Sequence, residues 1–391
     1  MADQAARKGV AVEALSERDL SRWKLVEDFQ ARLAEASERV RMPGSESDPR
    51  RKLLSADYFS LLLFGLFNPV VRTMRGLCEA TKLGRVQREI SNAYVSLGSF
   101  SEAQAVFAPE VLEEVLKELG AEVARRGQTL SGIKPAQWQS LIIDSTLFRA
   151  LPRMAWALWR QQGVRQSAVR LHVKYDLTAN AAVEARISSG TECERRAWRG
   201  LMKKGELYVG DRYYGEDYAL LMQAKEAGCA FVVRLRQQSS VQVIEELALS
   251  EEDHAARVVR AARVLLGKEA KAGPFLLVEV ATDKGSLLLL SSLESEQLPA
   301  QGVALLYQRR WMVELFFRWI KCLLGCRHWL AESERGVAMQ VYCALIAALL
   351  LALYSGKRPG RRAMELIQFY LLGYATLEEV SRQFGLNQKE S

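Results

Sequence analysis

Residues Leu306–Leu324 read LYQRRWMVELFFRWIKCLL. At 100° per residue, Tyr307, Arg310, Glu314 and Lys321 fall within one arc of about 60° on a helix. Around the rest of that helix lie Trp311, Met312, Val313, Leu315, Phe316, Phe317, Trp319, Ile320, Leu323 and Leu324, which is the pattern of a largely buried helix. A glutamate and three polar or cationic neighbours set into such a surface cost free energy unless they pair with one another or meet a charged ligand. Periodicity alone leaves both readings open: internal salt bridges, or an anionic, metal-bearing partner.

Upstream, Gln139–Asp144 (QSLIID) is a short apolar run ending in an acid, which predicts a buried strand with Asp144 at its tip. Ala168–Leu177 and Ala182–Ile187 read as the next two strands, Leu207–Asp211 (LYVGD) as a fourth, Gly215–Ala227 as a helix and Ala230–Leu235 as a fifth strand. Considered singly, Asp144 could be a helix N-cap or turn acid, and Asp211 could pair with Arg212. The separations of Asp144 from Asp211 and of Asp211 from Glu314 are 67 and 103 residues.

The spacing Y-x2-R-x3-E-x6-K from Tyr307 to Lys321 resembles the signature of the DDE transposases of bacterial insertion sequences, in the insertion-sequence-four group. IIDST around Asp144 and GDRYY around Asp211 resemble the motifs of that family's first two acids, with Glu314 as the third. The resemblance implies an α/β fold: a ribonuclease-H-like catalytic core interrupted by a β-rich insertion, with N-terminal and C-terminal helical regions. It implies that Asp144, Asp211 and Glu314 hold two Mg²⁺ or Mn²⁺ ions, hard cations that suit carboxylate oxygens. Tyr307, Arg310 and Lys321 are then expected to bind DNA phosphates. Arg212 is placed to do the same or to form a structural ion pair. The implied function is cut-and-paste transposition: cleavage at terminal inverted repeats, then strand transfer. The implied partners are double-stranded DNA, both terminal repeats and target, and a second copy of the chain in a synaptic homodimer. A transposase-derived DNA-binding protein without catalysis, and a metal-dependent nuclease that does not join strands, are the alternatives. Some family members use a tryptophan of the β-rich insertion to hold a flipped base. This chain has none between Trp198 and Trp311, and Phe275 is the candidate ring in its place.

The expected organisation is 1–52, an N-terminal helix and basic linker; 53–134, a helical DNA-binding region; 135–236, the first part of the core; 237–300, the β-rich insertion; 301–330, the helix bearing Glu314; and 331–391, a C-terminal helical region. In the linker Arg41–Lys52, two prolines and a glycine break the helical pattern, and Arg50, Arg51 and Lys52 are basic. Asn68-Pro69 predicts a break between two helical halves of Leu53–Leu83, and Ser96, Ser99 and Ser101 suit turn or cap positions. Arg72, Arg75, Lys82, Arg85 and Arg88 are the phosphate-contact candidates of that region, with a purely structural bundle as the competing reading. Arg149, Arg153, Arg160, Arg165, Arg170 and Lys174 lie near Asp144 in sequence and line a DNA channel or form ordinary surface. Residues 237–300 hold an acidic helix-like piece, the basic stretch Arg257, Arg260, Arg263, and apolar runs Pro274–Ala281 and Ser286–Leu293.

Composition sets looser bounds. In 391 residues, 49% are hydrophobic and 26% charged, ordinary values for a globular chain and contrary to disorder. A formal charge of +8 favours a polyanionic partner, although the same excess serves solubility. Six cysteines without a CxxC pair read as buried thiols of a reducing cytoplasm; Cys322 and Cys326 with His328 are a conceivable metal site. No signal-peptide pattern is present at the N-terminus, and the apolar run Val341–Tyr354 is short of a membrane span, so the expectation is a cytoplasmic protein with no membrane partner.

Overall fold

The computed structural model describes residues 24–40, 52–68, 70–71, 73–92, 94–126, 138–151, 154–161, 164–269, 272–324, 329–355 and 361–384. Residues 41–51 of the linker, Arg72, Arg153, Cys326 and His328 lie outside the described residues, as do Lys357 and Arg358 of the basic cluster Lys357, Arg358, Arg361 and Arg362 that the sequence places in the C-terminal helical region, and the side chains of Arg160, Arg165, Arg361 and Arg362.

Two units form by their internal contacts. One comprises residues 1–119, 322–331 and 335–391, the other 120–321 and 332–334. In the first, α1 (Lys24–Arg39), α2 (Ser55–Phe67), α3 (Met74–Ala80), α4 (Gly84–Glu89), α5 (Leu97–Val106) and the start of α6 (Pro109–Arg126) join the helix Glu334–Ser355 near the other end of the sequence. The Asn68-Pro69 break is made by Asn68, whose Oδ1 accepts from the backbone N–H of Val70 and Val71 at 2.9 and 3.0 Å. Thr73 then caps α3 and Ser96 caps α5 through their hydroxyl oxygens; Ser99 and Ser101 lie within α5 rather than at its cap. Tyr58, Phe59, Phe100 and Phe107 form a buried aromatic cluster. The helix Glu334–Ser355 extends the apolar run at its N-terminal end, and 20 of its residues are long and apolar enough to cross a membrane. Every residue from Gly336 to Leu353 is buried, however, which makes the helix a core element.

The second unit is built on a sheet of ten strands among the described residues. β1 (Gln139–Arg149), β2 (Leu158–Gln161), β3 (Val164–Asp176) and β4 (Ala181–Ser189) come first, then α7 (Glu194–Leu201), β5 (Glu206–Gly210), the single turn α8 (Arg212–Gly215), α9 (Tyr218–Glu226) and β6 (Ala230–Arg234). β3 lies antiparallel between β1 and β4, while β5 pairs parallel with β1 and β6 parallel with β5. The order β4-β3-β1-β5-β6, three antiparallel strands followed by two parallel ones, is the ribonuclease-H-like arrangement. All five residues of β5 are buried, and so are four of β6, as parallel strands with both faces covered require.

β7 (Val241–Leu247), α10 (Glu251–Ala255), β8 (Val258–Leu266), β9 (Ala272–Thr282) and β10 (Gly285–Ser291) follow. These strands continue the same sheet, because β10 pairs antiparallel with β6 at Leu289↔Arg234 and β9, β8 and β7 follow outward. The basic stretch Arg257, Arg260, Arg263 belongs to β8 and its approach. Each arginine meets an acid: Arg257 Asp283, Arg260 Glu246, Arg263 Glu245. Phe275 is 1% exposed and packs on Phe231, so it offers no ring to a base.

The helix expected over Leu306–Leu324 is two helices, α11 (Ala300–Gln308) and α12 (Trp311–Leu323). At their junction Arg309, Arg310, Met312 and Val313 donate three residues back, to Leu306, Tyr307, Arg309 and Arg310. Such tighter turns interrupt the α-helix without redirecting the chain abruptly. Val313, Phe316, Phe317, Trp319, Ile320, Leu323 and Leu324 are buried as expected; Trp311 is exposed, and Met312 and Leu315 are half-buried.

Candidate active site

Strand alternation assigns side chains of β1 to opposite faces. Ile142, Asp144, Thr146 and Phe148 share one face with Val173 and Tyr175 of β3, which stand opposite Asp144 and Ile142 in the register. Phe316 of α12 packs on Tyr175 with ring centroids 5.4 Å apart, which sets α12 over the face that carries Asp144. Arg170, His172 and Lys174 alternate onto the other face. There Lys174, fully buried, is bound 2.7 Å from Glu206 and 3.1 Å from Glu184, and Arg170 pairs with Glu194 and donates to Ser145 Oγ. Neither Arg170 nor Lys174 lines a channel; both are consumed internally.

Asp144 is not at the tip of β1. The strand continues to Arg149 because β3 pairs with it throughout, whereas the parallel partner β5 stops pairing at Ile142↔Val209. Every β1–β5 pair from Gln139↔Glu206 to Ile142↔Val209 is 67 positions apart, the same separation as Asp144 and Asp211. Asp211 follows β5 directly and stands close enough to Asp144 to act on its carboxyl electrostatically. Asp211 there acts as the N-cap of α8, its Oδ1 accepting from Tyr213 N–H at 2.9 Å. Gly215 ends that turn hard against β6, where a Cβ would stand 2.1 Å from the carbonyl oxygen of Arg234.

Glu314 is joined to this pair through Arg310. The guanidinium sits 2.6 Å from Glu314 Oε1 and 3.6 Å from Asp144 Oδ2, and lies 5.9 Å from the centre of the Tyr307 ring. Tyr307, Arg310, Glu314 and Asp144 are thus one cluster across the α11–α12 junction. Lys321 lies farther along α12, its Nζ 5.7 Å from the ring centre of Phe148 on the Asp144 face of β1. Arg212 places its Nε 3.8 Å from Glu216 and is more than half exposed.

The electrostatics follow from this placement. Burial, together with the nearby Asp211 and Glu194, pushes Asp144 up to about 7, against the opposing pull of the Ser145 N–H and Arg310. Burial works against the charge of Arg310, but Glu314, Tyr307 and Asp144 outweigh it and hold the guanidinium more firmly protonated than usual. Burial also raises Tyr307. Among the described residues no three His, Cys, Asp or Glu side chains already stand at metal-holding distance. Asp144 and Glu314 are arranged around a cation nonetheless, and that cation is Arg310. Oxygen donors, half-buried and mutually repelling, suit a hard divalent ion.

Glu194, felt electrostatically at Asp144, belongs to no motif legible in the sequence. Neither does Tyr214, fully buried near the acids and raised by burial and by Glu194, Asp144 and Asp211. In the helical unit Arg75 and Arg88 are exposed, while Lys82 pairs with Glu79 and Arg85 with Glu89. Of the cysteines, Cys78, Cys229 and Cys343 are buried as expected, but Cys193 and Cys322 are exposed.

A ribonuclease-H-like sheet with one acid on its first strand, a second directly after the parallel neighbour of that strand, and a third carboxylate on a helix over the first acid's face, defines an acid-centred α/β protein. The chain belongs to the Transposase DDE domain family, whose pattern it matches over residues 139–350. It is 26% identical over 233 residues to y4zB of Sinorhizobium fredii (strain NBRC 101917 / NGR234), assigned as a transposase, covering 58% of this chain and 64% of that one. It is 23% identical over 248 residues to the protein of Geobacillus stearothermophilus assigned as the transposase of insertion sequence element IS5377, covering 62% and 64%. The matches therefore span less than two thirds of either relative. Among solved structures, the piggyBac transposase synaptic complex with hairpin DNA is similar with a TM-score of 0.42 and 12% identity, covering 94% of this chain and 80% of that one.

Proposed function

We propose that the protein is a transposase that cleaves DNA at the terminal inverted repeats of an insertion sequence and joins the freed ends to target DNA, with Asp144, Asp211 and Glu314 as ligands for two Mg²⁺ or Mn²⁺ ions. The observation that carries this reading is the nearness of Asp211, directly after β5, to Asp144 on the neighbouring strand β1, with Glu314 tied to Asp144 through Arg310. Bound there, the ions would activate the attacking oxygen and stabilise the leaving one in each displacement at phosphorus. Burial and the nearby Asp211 raise Asp144 to about 7, and a divalent ion held there would favour its charged form.

The side chains of the cluster divide the remaining work. Arg310 leaves the carboxylates and turns its forked donors to a non-bridging phosphate oxygen, with Tyr307 beside it. Lys321, farther along α12, takes a neighbouring phosphate, and Arg212 a further one. Hydrolysis breaks the bond from phosphorus to the 3′ oxygen at the element end; strand transfer then forms a bond from that 3′ oxygen to target phosphorus and displaces a target 3′ oxygen. Positioning of this kind supplies much of the rate of such transfers. The exposed basic residues of the helical unit, Arg75 and Arg88 among them, are the candidates for holding the terminal repeat. The protein works as a homodimer bridging two element ends, on DNA in a bacterial cytoplasm.

The test is an assay with labelled terminal-repeat DNA, Mg²⁺ and a supercoiled target plasmid. Cleavage with joining is the expected result. Cleavage without joining would make the protein a nuclease, and specific binding without either would make it a DNA-binding derivative.

A further inference from the structure

Five residues beyond Asp211, Glu216 is the meeting point of three arginines from three segments of the second unit. Arg236, just past β6, places Nε 2.5 Å from Glu216 Oε1; Arg212 of α8 lies 3.8 Å from the same oxygen; Arg195 of α7 lies 3.5 Å from Oε2. Arg195 is fixed further by donating to the carbonyl oxygen of Tyr213, with its guanidinium 4.1 Å from the centre of the Tyr213 ring. Beside the cluster, Arg199 pairs with Asp217 at 3.2 Å. Four arginines thus pair with two carboxylates, Glu216 and Asp217, with Asp211 and Glu194 close by. Arg212 and Arg236 are half or more exposed.

One carboxylate cannot satisfy three guanidiniums, each with up to five donors. Its two oxygens are spread at 2.5 to 3.8 Å among them, which is a loose arrangement for a purely structural pair. The pairs made by the exposed Arg212 and Arg236 contribute little to stability, whereas Arg195 and Glu216 are mostly buried. A phosphodiester presents the same kind of anionic oxygens that these donors already grip, and Arg212 of the cluster directly follows Asp211.

We propose that Glu216 is an internal counter-anion that holds Arg195, Arg212 and Arg236 ready for the backbone phosphates of duplex DNA entering beside Asp211, and that the DNA displaces it. The site reads no sequence, since phosphates carry none. The inference rests on the transposase reading and adds to it a phosphate subsite separate from the Tyr307–Arg310–Lys321 group.

The experiment is fluorescence anisotropy with the full chain in EDTA, titrated with a terminal-repeat duplex and a random duplex over a series of salt concentrations. Arg195→Ala and Arg236→Ala are each expected to weaken binding of both duplexes by the same factor and to reduce the salt slope by about one. Glu216→Gln is expected to tighten binding of both duplexes several-fold, because the competing carboxylate is gone; melting curves of each variant verify folding. Wild-type affinity and salt slope in a folded Arg236→Ala, or unchanged binding in a folded Glu216→Gln, would overturn the subsite and leave the transposase reading standing. Failure of the wild-type chain to bind either duplex would bring down both.

Discussion

Arg310 sets Nη2 2.6 Å from Oε1 of Glu314, one helical turn ahead, while its Nη1 lies 3.6 Å from Oδ2 of Asp144 on β1. The guanidinium therefore occupies the place of a cation among the acids. Arg310→Ala is expected to lower the melting temperature in EDTA by a few degrees, since Asp144 and Glu314 lose their counter-charge, and Mg²⁺ is expected to restore it. Single-turnover cleavage by the same variant should fall about a hundredfold, and Arg310→Lys should recover little of it, because an ammonium lacks the forked contact. Wild-type cleavage with a lowered melting temperature would reduce Arg310 to a neutraliser of Glu314.

Asp144→Asn, Asp211→Asn and Glu314→Gln keep the shape of each side chain and remove a ligand charge. Each is expected to lower cleavage by about three orders of magnitude or more, with DNA binding and fold retained. Isothermal titration with Mn²⁺ gives a readout independent of turnover: each variant should lose ion binding. A variant that still cleaves fully removes its residue from the site.

Two buried groups oppose each other in pH dependence. Asp144, raised from 3.8 to about 7, binds more protons folded than unfolded across that window, so its effect on stability falls as pH rises toward 7. His172, buried beside Arg170 and Arg186 and lowered from 6.5 to about 4, does the reverse: its contribution is present above 6.5 and lost as pH falls toward 4. Metal-free wild type should thus show a shallower profile between pH 4 and 6.5 than either single variant. Relative to wild type, Asp144→Asn should lose stability on acidification and His172→Gln on alkalinisation, each by roughly 1.4 kcal/mol per pH unit at most. Urea midpoints at half-unit steps measure both, and parallel curves for the three proteins would refute the assignment.

Gly215 closes the turn that Asp211 caps, and its α-hydrogen faces the Arg234 carbonyl where a methyl would sit at 2.1 Å. No rotamer relieves a clash with backbone, so Gly215→Ala must part α8 from β6. A loss of about 3 kcal/mol or more in urea denaturation is expected, together with reduced cleavage from a displaced Asp211. Gly205, whose added Cβ would meet nothing within 4 Å, has a positive φ and makes a useful contrast: its alanine variant should cost about 1 kcal/mol by conformation alone.

The sequence by itself determined most of the elements and singled out the three acids as candidates. Period-two and period-3.6 patterns are local, so β1, β3, β4, β5 and β6 stand close to where hydropathy placed them, and the Y-R-E-K spacing singled out Tyr307, Arg310 and Glu314, which meet at the α11–α12 junction, with Lys321 farther along α12. Even the 67 residues between Asp144 and Asp211 were visible, although only the pairing of β1 with β5 shows that the same count relates the strands leading to them. Long-range pairing decided the remainder. β1 runs on past Asp144 because β3 supplies partners that no reading of β1 contains. The strands of 237–300 join the main sheet because β10 finds β6. The apolar helix Glu334–Ser355 is buried with α2 because residues 284 positions apart, Phe59 and Cys343, share one core. Glu194, Glu216 and Tyr214 carry no spacing signal at all. Their parts depend on which charges stand within a few ångströms, and that is a property of the folded chain, set by packing between segments that the linear order keeps apart.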